Sequence, residues 1–155
     1  MNFERDLRAG ISAGLLAATA TSGALISIGS RAATVARPFN AIAGHLLGVR
    51  DSDAYDFVPL ITITGIALHV VLITLAGIVI AFVVRRRIAP PWLAATALAT
   101  LSALVSVGVA KRGGSSLARV LPVGDLVLFY MMLAVSLGVG IRLAFFDRDR
   151  VPPAE

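Results

Sequence analysis

Charged side chains divide this chain into four long apolar blocks. Residues 9–30 form a run of 22 without a formal charge, residues 57–84 a run of 28 and residues 88–110 a run of 23. The fourth block, 120–141, carries one charge, Asp125. About 20 mostly apolar residues are enough to cross roughly 30 Å of hydrocarbon as an α-helix. The pattern therefore predicts an all-α fold, a four-helix transmembrane bundle with helices at about 9–29, 58–84, 91–110 and 122–146. One integral membrane domain then takes up residues 1–155. Arg5 and Arg8 ahead of the first block are what a secretory signal would open with, but the apolar core of a signal runs to only 7–15 residues. The longer run predicts a retained first helix.

The segments between blocks carry their own patterns. Arg85-Arg86-Arg87 closes the second block, and Pro90-Pro91 with Trp92 opens the third at interface depth. Lys111-Arg112-Gly113-Gly114-Ser115-Ser116 reads as a basic turn. The connection over 30–57 is the longest. Within it Pro38 starts a stretch in which Phe39, Ile42, Ala43 and Leu46 share one helical face while Asn40, Gly44 and Gly48 lie away from it. That pattern predicts a short helix at about 38–48 lying in the membrane interface of the first outer loop, flanked by Arg37 and Arg50. Asp51, Ser52, Asp53, Ala54, Tyr55 and Asp56 follow as a solvated acidic loop with an interfacial tyrosine. They lack the glycine and closing glutamate of a calcium loop.

Two helices carry stripes of small residues. Gly10, Gly14, Ala17, Thr21 and Ala24 line one face of the first helix, and Ala95, Ala99, Ser102 and Ser106 one face of the third. In a bilayer, where apolar burial gives helices little reason to associate, such stripes let backbones approach and gain dispersion contacts.

Composition narrows the class further. Hydrophobic residues make up 57% before glycine is counted, already above the roughly 45–50% of soluble domains with glycine included. Charged residues are 15%, against about 25% ordinarily. No room is left for a soluble domain. With no cysteine, disulfides, thiolate metal sites and cysteine nucleophiles are excluded. The formal charge is +5, but the basic residues sit at the ends and in the loops, where they meet lipid headgroups; no nucleic-acid partner is expected. The expected partners are the lipid bilayer and other membrane subunits or a second copy of the chain. Eight Lys and Arg fall on the side of the two termini and the arginine turn, and six on the other. Short loops dominate the positive-inside effect, so both termini are expected to be cytoplasmic.

Ionisable groups at membrane depth are costly, which makes each a functional candidate. Three qualify. Arg142 is within snorkelling reach of the headgroups. Asp125 lies in the first turn after Pro122, where the helix dipole favours a carboxylate and Lys111, Arg112 and Arg119 share its side. His69 lies eleven residues into the second helix, near the midplane, with Thr62 and Gly65 on its face. Two readings of His69 stand side by side: a hydrogen bond that holds helices together, and a ligand or proton-relay site. The helix periodicity turns it into the bundle in either case. No metal site or cofactor is expected, because haem b would take two facing histidines and His45 lies about half a membrane away. No catalytic constellation is present, so an enzyme is not expected.

Two stretches carry a resemblance. Pro38-Phe39-Asn40-Ala41-Ile42-Ala43-Gly44-His45-Leu46-Leu47-Gly48, followed by Thr62-x-x-Gly65-x-x-x-His69, resembles a family of small, uncharacterised four-helix bacterial inner-membrane proteins. The likeness covers roughly residues 10–85. It implies the four-helix fold and a multi-pass place in a bacterial inner membrane, and it singles out Asn40, His45, Gly65 and His69 without supplying an activity. The function expected is that of a non-catalytic accessory or packing subunit of a membrane complex or homo-oligomer. The alternative is a small transporter or permeation unit using His69 and Asp125.

Overall fold

The computed structural model describes residues 3–32, 34–47 and 56–146. All elements among them are helices: α1 Phe3–Arg31, α2 Ala36–Leu47, α3 Pro59–Arg85, α4 Pro91–Lys111, α5 Leu117–Val120 and α6 Val123–Phe146. Four of these (α1, α3, α4 and α6) are long and apolar enough to cross a membrane. The acidic segment 51–55 and the tail 147–155 lie outside the described residues, as does the side chain of His45.

Helix ends follow local chemistry. Pro59 and Pro91 occupy the first turns of α3 and α4, where a missing N–H costs nothing and the fixed φ suits a helix. Both helices close with the same pair of hydrogen bonds. At α3, Arg87 N–H donates to the Val84 carbonyl and Ile88 N–H to the Val83 carbonyl; at α4, Gly113 N–H donates to Ala110 and Gly114 N–H to Val109. This closure needs a left-handed residue, usually glycine. Gly113 supplies it at α4 with φ 79°, whereas at α3 the position is filled by Arg87 with φ 54°.

α1 is the central helix, packed against α3 on one side and α6 on the other, while α4 lies against α6 and α2 against α3. Neighbouring spans run antiparallel, as their facing residues show. A Cβ at Gly10 would lie 2.5 Å from the Ile78 Cα, and one at Gly14 the same distance from the Thr74 Cα. Gly77 faces back onto both, 2.5 Å from the Gly10 carbonyl oxygen and 2.8 Å from the Gly14 Cα by the same measure. Three glycines thus bring the α1 and α3 backbones into contact. Gly140 of α6 meets Ala13 of α1, and Gly138 makes room for the Trp92 ring of α4. One apolar cluster, including Ala17, Ile80, Leu137 and Ile141, fills the half nearer the start of α1. A second, with Leu25, Ile28, Phe39, Leu121 and Phe129, fills the half nearer α2.

Three features depart from the sequence reading. α1 begins at Phe3, about two turns before the expected start. Glu4 and Asp6 near its start suit the helix dipole, and Glu4 pairs with Arg8 one turn on at 2.6 Å. The short α5, with Leu117 and Val120 buried, was not anticipated. The short helix expected between the first two spans forms as α2, but not on the expected face. Asn40 and Gly44, placed by the pattern away from the apolar side, are buried along with Pro38, Phe39, Ala41 and Ala43. The polar side of α2 turns inward because hydrogen-bond partners wait for it there.

Candidate functional site

Those partners belong to a polar cluster where α1, α2 and α3 meet. Asn40, with no exposed surface, accepts a hydrogen bond from the Thr62 hydroxyl at 2.7 Å and donates through Nδ2 to the Asp56 carbonyl at 2.9 Å. One side chain therefore ties α2 both to α3 and to the chain leading into α3. One turn beyond Thr62, Gly65 lies directly beneath the Phe39 carbonyl, and a Cβ there would overlap that carbonyl. The glycine lets the α2 backbone lie on α3.

One further turn along, His69 is 4% exposed and faces α1. Its Nε2 lies 3.0 Å from the Thr21 hydroxyl oxygen. Thr21 donates its own proton to the Ala17 carbonyl at 2.7 Å, so the oxygen faces the ring as an acceptor and Nε2–H is the donor. The tautomer is assigned from this network and leaves Nδ1 as the lone-pair nitrogen. Phe39 stands edge-on to the imidazole with ring centres 6.0 Å apart, and Phe129 of α6 lies 6.1 Å away. Residues from α1, α2, α3 and α6 thus converge on one histidine, ten residues into α3 and facing Thr21, which lies ten residues before the end of α1, at about mid-depth of the apolar layer.

The structure therefore brings Thr62, Gly65, His69 and Asn40 together. Asp125 stays apart. It sits one turn before Phe129 and pairs with Arg31 at the end of α1, N to O 3.0 Å, and not with the expected Lys111, Arg112 or Arg119. The reason is helix geometry: α1 and α6 are packed neighbours whose ends meet at this level, while Arg119 donates to the Gly113 carbonyl. Gly10 and Gly14 form the α1–α3 contact, at a distance from the polar cluster. Ser102 and Ser106 lie half-buried on α4; the Ser102 carbonyl accepts from the Tyr130 hydroxyl at 3.4 Å and the Ser106 hydroxyl from the Ala118 N–H at 3.2 Å. Among the described residues, no three His, Cys, Asp or Glu side chains come together as metal ligands.

Two participants went unread in the sequence. Thr21 appeared only as one of a row of small residues; its role depends on which α3 residue faces it. Asp6 lay before the expected start of the first helix, yet it is buried and holds Arg85 at 2.8 Å, clipping the start of α1 to the end of α3.

Four spanning-length helices, three of them lining this cluster, make the chain a polytopic membrane protein. Comparison with protein-family models, curated proteins and solved structures returns no match.

Proposed function

We propose that the chain is a non-catalytic accessory or packing subunit of a membrane complex, or of an assembly of its own copies. We place it in a bacterial inner membrane with both termini cytoplasmic. One observation carries the reading: His69, Asn40 and Asp125, three polar side chains of the bundle, serve as links between helices. His69 joins α3 to α1, Asn40 joins α2 to α3, and Asp125 joins α6 to α1. Such links make a rigid body, as a scaffold needs. The small residues of α1 are used inside the chain, so they leave α4 as the seam for a neighbour. Only Ala95 and Ala99 of α4 are buried, and Leu93, Leu101, Leu104 and Val105 face outward.

Purification of the full chain from its membrane in a mild detergent, with mass measured by light scattering, tests the reading. A reproducible complex or oligomer supports it, and a lone monomer overturns it. Ion or solute flux through proteoliposomes that His69→Gln abolishes without loss of fold would install the permeation unit instead.

A further inference from the structure

A second feature lies at the opposite end from α2, where α1 starts and α6 finishes. A cleft of about 1140 Å³ is lined there by Phe3, Phe82 and Phe145 together with Arg85, Arg86 and Arg87. Its two walls differ in chemistry. Phe3 and Phe82 pack with ring centres 5.6 Å apart, forming an aromatic wall. The other wall is the arginine turn. Asp6 neutralises Arg85, but Arg86 and Arg87 form no ion pair among the described residues. Two guanidinium groups without an ion pair among the described residues therefore stand over an aromatic cleft at the level where three helices end.

The backbone adds an independent observation. Arg87 holds a left-handed conformation that strains a side-chain-bearing residue, and the same closure at α4 uses Gly113. The strain places a cation at the cleft.

We propose that this cleft binds an anionic phospholipid, with its phosphate between Arg86 and Arg87 and an acyl chain along Phe3, Phe82 and Phe145. Guanidinium pairs match phosphate oxygens in geometry and charge, and basic pockets between helices at a membrane surface suit anionic headgroups. A soluble phosphate would satisfy the arginines but leave the aromatic wall uncovered. A zwitterionic lipid would cover the aromatics but bring no net negative charge. The site is independent of the His69 cluster and of any subunit role.

Native mass spectrometry of the detergent-purified full chain, titrated with dioleoylphosphatidylglycerol or dioleoylphosphatidylcholine, tests this. The phosphatidylglycerol adduct is expected to be the tighter. The double variant Arg86→Ala/Arg87→Gly is expected to weaken it roughly thirtyfold, about five- to sixfold per cation. Lys111→Ala/Arg112→Ala, at the other end of the bundle, is expected to leave it unchanged. Arg87→Gly alone is expected to raise the melting temperature by relieving the left-handed strain while weakening phosphatidylglycerol about fivefold, which separates lost binding from lost fold. Equal adducts with both lipids, or equal losses from the two double variants, would overturn the proposal. Displacement of phosphatidylglycerol by millimolar inorganic phosphate would also overturn it, reducing the cleft to a soluble-anion site.

Discussion

One carbonyl group determines how α2 sits: that of Phe39, which fills the space a side chain at position 65 would need. Gly65→Ala should therefore displace α2 and lower the melting temperature by several degrees in detergent. Gly108→Ala, in open space on α4, should be neutral or stabilising by up to about 1 kcal/mol through helix propensity. A thermal-shift pair measures the contrast, and equal effects would refute the contact. At His69, Gln retains a donor for the Thr21 oxygen and should keep most of the stability. His69→Leu should lose on the order of 1 kcal/mol, because interhelical hydrogen bonds in membranes are modest. Gly65, His69 and Thr62 were legible from the sequence because helical periodicity alone puts them on one face. Their partners were not. Thr21 is 48 residues from His69, and Arg31 is 94 from Asp125, and pairing over such separations depends on which helices adjoin and in what register.

Elements were easier to read than their faces. Apolar block length located all four spans to within a few residues, except the start of α1, where the charged residues that seemed to end the helix extend it. The small-residue rows located the contact surfaces of α1 and α4. Gly14→Leu and Ser102→Leu should disrupt folding more than Leu15→Ala and Leu104→Ala, since leucine at a close contact parts the helices and forfeits dispersion across the seam. Leu15 and Leu104 are largely exposed, so trimming them costs less contact within the bundle. Reversed sensitivities in a thermal-shift series would remove those faces from the account. For α2 the pattern named an apolar side correctly at Phe39 and Ala43 but misjudged the polar one. A helical wheel takes water as the natural surrounding of an asparagine, whereas here Thr62 and the Asp56 carbonyl provide the hydrogen bonds.

At the scale of the whole molecule, the antiparallel contacts place the ends of α3 and α6 beside the start of α1, so the arginine turn shares a side with these three helix ends. In the proposed topology, positive-inside bias puts that side in the cytoplasm. A reporter fused after Arg87 should behave as internal and one after Ser116 as external. Changing Arg85, Arg86 and Arg87 to Glu should scramble the pattern, because the remaining basic residues number five against six. An external signal after Arg87 in the unmodified chain would reverse the assignment.

The seating of α2 also has a consequence in time. During synthesis α2 is complete before α3 exists, and its 12 residues span only about 18 Å, too short to cross by themselves. Until Thr62 and Gly65 arrive, the Asn40 side-chain oxygen lacks its donor and the groove beneath Phe39 is unbuilt. The newborn helix is then expected to lie at the bilayer surface, apolar side down, which is the posture its amphipathic pattern describes, and to dock into the bundle once α3 arrives. Because the chain has no cysteine, Ala41→Cys gives a reporter free of background. It should react with a water-soluble maleimide in nascent chains halted before α3 and be protected in the finished protein, where Ala41 is 1% exposed.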